Sequence, residues 1–195
     1  STAEICHEYM KNDNRIKYYR NEINIGVANN FTKVVELAEG SDYFLWVGHD
    51  DLWHKTFLSK TLKTLENNPN ATLCCTKVTF IDLQGNKIDS MNLLSENSSL
   101  DNSNKNIFEK YLDLMQNLNK LCIIYGLYRY SAIKKTMPFP NILAAGDVAF
   151  LFKFLFTGDV IKIDEFLFNY RYRVRSNFDY LKDENYNNKE KTNDK

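Results

Sequence analysis

The order of helical and extended segments predicts an α/β fold for this chain of 195 residues. Apolar residues recur at helical spacing over residues 3–10 and 27–38, and a short strand-like run follows each of them, at residues 16–20 and 43–47. Such alternation is typical of strands joined by helical crossovers, so the expected sheet is twisted and mainly parallel, with helices on both faces. A content of 44% hydrophobic residues at this length is enough for one buried core.

The same alternation continues through the rest of the chain. Helices are predicted where apolar residues recur every three or four positions, and strands where β-branched and aromatic residues cluster. The predicted helices are residues 54–66, 107–118, 131–136 and 148–156, and the predicted strands are residues 72–81, 121–130, 160–163 and 166–172. Turn residues at 82–87 predict a hairpin returning at 87–90, and the Ser- and Asn-rich residues 91–106 predict a long loop.

Composition and charge limit the classes of function. One domain is predicted over residues 1–176, followed by a polar tail over residues 177–195. Lysine plus arginine equals aspartate plus glutamate at 25 each, so the net charge is zero. A whole-protein field that attracts nucleic acid is therefore not supported, and no nucleic-acid partner is expected.

The cysteines favour a reducing compartment. Cys6, Cys74, Cys75 and Cys122 form neither a C-x-x-C pair nor a regular framework. The longest apolar run, residues 148–156, is far shorter than the roughly 20 residues that a membrane-spanning helix needs. The expected location is the cytoplasm, including peripheral association with the inner membrane face.

An acidic motif follows the predicted strand 43–47. Gly48 lets the chain turn, and Asp50 and Asp51 come at the carboxyl end of the strand, where open α/β sheets bind ligands. Two adjacent carboxylates repel each other unless a cation lies beside them, and hard oxygen ligands favour Mg²⁺ or Mn²⁺. His49 and His54 match no zinc signature. The alternative is that Asp50 or Asp51 merely caps the helix that starts near His54.

Three further charged residues are candidates for chemistry. Asp147 precedes the predicted helix 148–156, where it would act as the N-cap. Arg171 and Arg173 end an apolar strand, where the plain interpretation is that they are surface charges, although a guanidinium also matches the geometry of a phosphate.

Four large aromatic residues lie near these motifs. They are expected in the core rather than stacked on a bound ligand, and they are Tyr18, Tyr19, Trp46 and Trp53.

The motif in residues 43–53, YFLWVGHDDLW, resembles the signature of family 2 glycosyltransferases of the GT-A fold. Residues 18–22 (YYRNE), 24–26 (NIG) and 29–30 (NN) are similar to the segment that precedes it in that family, and the resemblance extends from residue 1 to about 173. It implies a Rossmann-like three-layer sandwich. It also implies that Asp51 contacts a divalent metal and that Asp50 faces a nucleotide sugar.

The resemblance implies roles for the other candidates as well. Asp147 resembles the base that deprotonates the acceptor, although many members have Glu-Asp where this chain has Gly146-Asp147. Arg171 and Arg173 resemble a phosphate-proximal Tyr-Arg-x-His pattern, with Arg173 in place of the histidine. The implied reaction is inverting transfer of a sugar from a nucleotide-diphosphate donor to a glycan or lipid-linked acceptor, as in cell-surface polysaccharide biosynthesis.

Two rival functions come from other classes. A non-catalytic binding or scaffolding module would keep the fold and lose turnover. A nucleotidyltransferase would also use carboxylate-held Mg²⁺, but the Gly-rich phosphate loop it usually requires is not found in the sequence.

The start of the chain departs from the resembled family, whose members begin with two strands ending in Pro-x-Tyr-Asn and Asp-x-Ser-x-Asp motifs. Residues 1–6 already resemble the helix that follows those strands. We therefore expect an N-terminally truncated domain that is weakly active or inactive by itself. Its exposed sheet edges would favour self-association.

Overall fold

The computed structural model describes residues 1–88, 105–116, 118–142 and 145–172. Within these residues the helices are α1 (Thr2–Asn12), α2 (Val27–Leu37), α3 (Phe57–Asn67), α4 (Ile107–Gln116), a 3₁₀ helix (Leu118–Tyr125), α5 (Tyr130–Thr136) and α6 (Gly146–Phe154). The strands are β1 (Tyr43–Phe44), β2 (Leu52–Trp53), β3 (Ala71–Ile81), β4 (Leu127–Arg129) and β5 (Asp159–Arg171). The α/β class predicted from the sequence is confirmed.

The five strands form one mixed sheet in the order β1-β4-β3-β5-β2. Only the long pair β3 and β5 is parallel, whereas β1 with β4, β4 with β3 and β2 with β5 are antiparallel. The prediction of a mainly parallel sheet is therefore wrong. The alternation of elements suggested crossovers, but β4 and β2 are short strands that enter the sheet in the opposite direction.

Two predicted N-terminal strands are shorter than expected or absent. Residues 16–20 form neither helix nor strand, since no strand among the described residues pairs with this segment, and Tyr19 is 59% exposed. The apolar run 43–47 pairs with β4 only at Tyr43 and Phe44. Beyond Phe44 the chain leaves the ladder, and residues 45–51 connect β1 at one edge of the sheet to β2 at the other.

The long parallel pair of the sheet is irregular near Lys77. The register between β3 and β5 shifts around Lys77, opposite residues 163–168, and such irregularities bend and twist a strand. The sequence predicted a break in the same place, between strands 160–163 and 166–172, but the chain continues as the single strand β5. The second half of β5 pairs with β2 through Asn169 and Phe168.

Helices cover both faces of the sheet. Leu73 and Cys75 of β3 belong to the larger core cluster, with residues of α2, α5 and α6, whereas Cys74 belongs to a second cluster with Leu65 of α3. Alternate residues of a strand point to opposite faces, so the two clusters are two separate layers of packing. The buried Tyr128 of β4 lies in the larger cluster.

The run 121–130 was predicted as one strand and is instead the end of the 3₁₀ helix followed by β4. Gly126 separates the two, and a Cβ atom at this position would lie 2.7 Å from the Cys74 carbonyl oxygen. The close approach to β3 allows only glycine. A short apolar run cannot be assigned to helix or strand by periodicity alone, which is why the prediction failed.

The other predicted helices and strands are present with small shifts in their ends. The predicted hairpin is represented by an isolated bridge between Ile81 and Lys87. Most of the predicted loop 91–106, and the whole tail 177–195, lie outside the described residues. In the part of the chain that is described, no helix has the length and apolarity required to cross a bilayer.

Candidate functional site

A cleft of about 940 Å³ lies beside the acidic motif. One wall is α2, through Asn30, Phe31 and Val34, and the floor is the connection formed by residues 44–51. Tyr125 and residues 170–172 complete it. This volume is in the range of small-molecule sites, so the ends of β1 and β5 meet in a space that a nucleotide-sized ligand fits.

Asp50 and Asp51 lie together at the end of this cleft. The Oδ1 atom of Asp51 accepts a hydrogen bond from the backbone N–H of Arg171 at 2.8 Å. A Cβ atom on Gly48 would lie 2.6 Å from Asp51 Oδ2 and 3.6 Å from Asp50 Oδ1. Glycine at position 48 therefore provides the room in which both carboxylates converge.

The capping alternative for these aspartates is wrong. Helix α3 begins at Phe57 with Thr56 as its N-cap, and its first turn receives no side-chain cap. Between the acidic motif and this helix lies β2, which removes both carboxylates from the helix start.

The side chain of Arg171 ties the acidic motif to a distant turn. Its Nε donates to the Asp50 carbonyl at 2.8 Å, and its Nη1 donates to the carbonyls of Asp82 and Leu83 at 2.8 and 3.0 Å. The surface-charge alternative for Arg171 therefore does not describe its surroundings. The guanidinium fixes the backbone at one end of the cleft, and it still lines the cavity.

The turn that receives Arg171 is itself well ordered. The Asp82 carboxylate accepts from the backbone N–H groups of Gln84 and Asn86 at 2.9 and 2.8 Å, and from Nδ2 of Asn86 at 3.1 Å. Gly85 adopts a φ of +94°, which the turn requires. The hydrogen bonds from Asn86 hold the pKa of Asp82 below its ordinary value.

The pKa of Asp51 is shifted in the opposite direction. Burial raises the pKa of the Asp51 carboxyl above its ordinary value, and the neighbouring charge of Asp50 raises it further. The hydrogen bond from the Arg171 N–H only partly offsets these effects. A carboxylate pair held in this way is a favourable position for a cation, which would neutralise the repulsion.

The donor set fits Mg²⁺ or Mn²⁺ better than zinc. No group of three or more His, Cys, Asp or Glu residues that could hold a metal occurs within the described ranges. Mg²⁺ is commonly held by one or two carboxylates, with substrate phosphates and water as the other ligands. His49 is 89% exposed and its Nδ1 lies 4.0 Å from Asp50 Oδ1, whereas His54 contacts Thr56.

Asp147 lies in the first turn of α6, and the prediction that it caps a helix starting at Val148 is wrong. The helix begins at Gly146 with Ala145 as its N-cap, and Asp147 accepts from the Val148 N–H at 2.8 Å. A Cβ atom on Gly146 would lie 2.8 Å from the Pro140 carbonyl oxygen. This contact explains why glycine stands where the resembled family often has glutamate.

Asp147 is near the cleft but is not part of its lining. Its charge and that of Asp51 both contribute to raising the pKa of Tyr125 and of Cys122, in each case after burial, which is the largest cause. The two carboxylates therefore flank a common region at the end of the 3₁₀ helix. Arg173 lies outside the described residues.

The aromatic residues singled out in the sequence have different surroundings. Trp46 is 6% exposed and packs in the main core, as expected. Trp53 stacks on Phe168 with ring centroids 4.8 Å apart. Tyr18 contacts His7 edge to face, and Tyr19 is exposed, so for Tyr19 the core prediction is wrong.

Sequence reasoning missed Tyr125 and Tyr170 of the cleft wall. Tyr125 was hidden in a run predicted as a strand, and Tyr170 was overlooked beside Arg171. The usable signal for Tyr170 was its position next to a candidate phosphate ligand.

Comparisons with known proteins indicate the family of this chain. The profile of Glycosyl transferase family 2 matches residues 1–137, which include the acidic motif. An uncharacterized glycosyltransferase of Methanocaldococcus jannaschii is 27% identical over 178 residues, an alignment that covers 90% of this chain and 57% of that protein. The chain thus spans a little over half the length of this curated relative. On the strength of the profile match, the chain belongs to glycosyl transferase family 2.

Proposed function

We propose that the protein transfers a sugar from a nucleotide-diphosphate sugar to an acceptor hydroxyl, with inversion at the anomeric carbon. The observation that carries the proposal is the convergence of Asp50 and Asp51 on Gly48 in a cleft of about 940 Å³, with Arg171 attached to both aspartates. Family membership supports glycosyl transfer as the class of reaction.

The acidic end of the cleft is the proposed donor site. Asp51 would hold Mg²⁺ or Mn²⁺, with Asp50 toward the nucleotide sugar, because their carboxylates share the space above Gly48. The ion would neutralise charge on the departing diphosphate. Repulsion between the two carboxylates and the partial burial of Asp51 both support a bound cation at this position.

Arg171 is proposed to contact the diphosphate in addition to its structural role. Its Nε and Nη1 are engaged by backbone carbonyls, and its Nη2 makes no hydrogen bond with a described residue. The Nη2 group therefore stays available for a phosphate oxygen. Arg173 keeps the same predicted role.

On the acceptor side, Asp147 is the proposed general base. Its carboxylate would take the proton of the acceptor hydroxyl while that oxygen bonds to the anomeric carbon and the bond to the diphosphate breaks. The nucleoside diphosphate leaves with the bonding electrons. Because the new bond forms on the face opposite the leaving group, a single displacement of this kind inverts the anomeric configuration.

The fold is proposed to be GT-A-like in a mixed-sheet form. Helices pack on both faces of the sheet, as a three-layer sandwich requires, although only one strand pair is parallel. The expected acceptor is a glycan or a lipid-linked glycan, and a role in cell-surface polysaccharide biosynthesis remains part of the proposal.

A non-catalytic binding module is the second candidate, and one observation favours it. Asp147 is absent from the lining of the cleft. Its carboxylate instead accepts a hydrogen bond from the Val148 N–H. A module of this kind would bind a nucleotide sugar without turnover.

Release of nucleoside diphosphate from UDP-, GDP- and dTDP-hexoses with Mn²⁺ tests the proposal. We expect slow release from at least one donor, and we expect Asp147→Asn to lower it by about 10²–10⁴-fold while donor binding persists. The matched control is Asp164→Asn, since Asp164 is 85% exposed and pairs with Lys77. Binding without turnover in the wild type would favour the module, and near-native turnover of Asp147→Asn would remove the base assignment.

A further inference from the structure

Tyr125 occupies a fixed position in the cleft wall. It ends the 3₁₀ helix, and Gly126 follows it, donating to the Ile123 carbonyl at 2.9 Å while packing directly on β3. Its ring lies 5.6 Å from that of Phe168 and 6.1 Å from that of Tyr170, measured between centroids. These contacts hold the ring, so the direction of its hydroxyl is set by the fold rather than by a ligand.

The hydroxyl of Tyr125 has no hydrogen-bond partner among the described residues. The side-chain nitrogen and oxygen atoms of the described residues that are both buried and unpaired are Nε1 of Trp46 and Nε1 of Trp53. The Tyr125 hydroxyl is not one of them, and it is therefore accessible to solvent at the cleft that the residue lines. A phenol in such a wall is a ready donor and acceptor for a polar ligand.

The surrounding charges indicate which ligand atoms suit this position. Burial raises the pKa of Tyr125, and Tyr170 and the carboxylate of Asp51 raise it further, with a smaller contribution from Asp147. The hydroxyl therefore stays neutral and keeps its proton. Its position near both Asp51, where the diphosphate is proposed, and Asp147, where the acceptor is proposed, puts it beside the sugar, whose hydroxyl groups can pair with a neutral phenol.

We propose that Tyr125 determines donor specificity by hydrogen-bonding a hydroxyl group of the hexose that is transferred. The inference rests on the proposed function, because it places the hexose between the diphosphate at Asp51 and the acceptor at Asp147. It adds a contact to the sugar itself, which neither aspartate provides. A wall residue that pairs with one sugar hydroxyl discriminates against hexoses lacking that group.

Calorimetric titration of two ligands in Mn²⁺ tests this assignment. The ligands are a nucleotide hexose that the wild type binds and the corresponding nucleoside diphosphate without the sugar. Tyr125→Phe keeps the ring contacts and removes only the hydroxyl. We expect it to weaken the nucleotide hexose about five- to tenfold and to leave the nucleoside diphosphate unchanged. The matched control is Tyr111→Phe, since Tyr111 stacks on Phe152 outside the cleft lining.

Deoxy-hexose donors sharpen the same test. We expect the wild type to bind one deoxy analogue more weakly than the nucleotide hexose that carries the hydroxyl. We expect Tyr125→Phe to bind these two ligands equally well, because the hydrogen bond that the analogue lacks is already absent from this variant. Equal weakening of both ligands by Tyr125→Phe, or no weakening of either, would overturn the inference and leave the proposed function intact. A wild type that binds no nucleotide hexose would instead overturn both.

Discussion

Arg171 links two aspartates whose surroundings are opposite. Asp82 lies in a turn, where two backbone N–H groups and an amide donate to its carboxylate, and these hydrogen bonds keep its pKa low. Asp51 lies in the cleft beside Asp50, receives one backbone N–H from Arg171, and has its pKa raised by burial. The surroundings of Asp82 therefore stabilise its negative charge, whereas the surroundings of Asp51 disfavour it.

This difference distinguishes a structural turn, around Asp82, from the candidate site at Asp51. The turn around Asp82 satisfies its own polar groups and presents carbonyls that anchor the Arg171 guanidinium. The corner formed by Asp50 and Asp51 is held in place by Arg171, although the two carboxylates repel each other there. Such unfavourable placement of charge is characteristic of residues that serve binding or catalysis. The turn around Asp82, whose polar groups are hydrogen-bonded, thus holds the corner formed by Asp50 and Asp51 in position.

Removing the Arg171 guanidinium, which links the two regions, should have the largest effect on the stability of the fold. Arg171→Met abolishes three hydrogen bonds to the carbonyls of Asp50, Asp82 and Leu83, and we expect the free energy of unfolding to fall by about 2–3 kcal/mol. Urea denaturation measures it. The control Arg15→Met removes an exposed pair with Asp13 and should change little. Unchanged stability of Arg171→Met would show that the two regions are held independently.

Neutralising each aspartate should give smaller effects of opposite sign in metal-free buffer at neutral pH. Asp82→Asn should lower the melting temperature, because the native turn favours the charged form. Asp51→Asn should raise the melting temperature or leave it unchanged. The gain in the free energy of unfolding should be less than about 1 kcal/mol, because the carboxyl is half exposed and screened. Asparagine can still accept the Arg171 N–H. Thermal melts with a chelator measure both.

The pH dependence provides the check on these signs. Asp82 has a lowered pKa, so its contribution is present above the ordinary carboxyl value of 3.8 and is lost as the pH falls through the native pKa. Asp51 has a raised pKa, so its cost appears as the pH rises above 3.8 through the native value. Both differences should therefore vanish in acid. A destabilising Asp51→Asn at neutral pH would contradict the comparison.

The acidic motif and the amphipathic helices could be predicted from the sequence because both depend on local spacing. Helix α2 spans Val27–Leu37, close to the predicted residues 27–38, and the motif 48–51 lies in the connection between β1 and β2. Strand direction could not be predicted in the same way. The pairing of β2 with β5 joins Leu52 to Asn169, and nothing in the local sequence of either strand encodes such a distant partner.

The surroundings of Arg171 show the same limit at the level of one side chain. The sequence offered a surface charge or a phosphate ligand, whereas the guanidinium contacts carbonyls of Asp50 and Asp82. These partners lie on segments far away in the chain. Tyr125 was missed because an apolar run beside a glycine was predicted to be a strand. Side chains that line a cleft are recognised only when the elements around it are placed correctly.

The central claim is that the corner formed by Asp50 and Asp51 binds a nucleoside diphosphate through a divalent cation. Calorimetric titration of the wild-type chain with UDP, GDP and dTDP, in Mn²⁺ and then with a chelator, tests it most directly. We expect at least one of them to bind tenfold or more tightly with Mn²⁺, about 1.4 kcal/mol, and we expect Asp51→Asn to remove this difference. Equal affinity with and without the cation would contradict it.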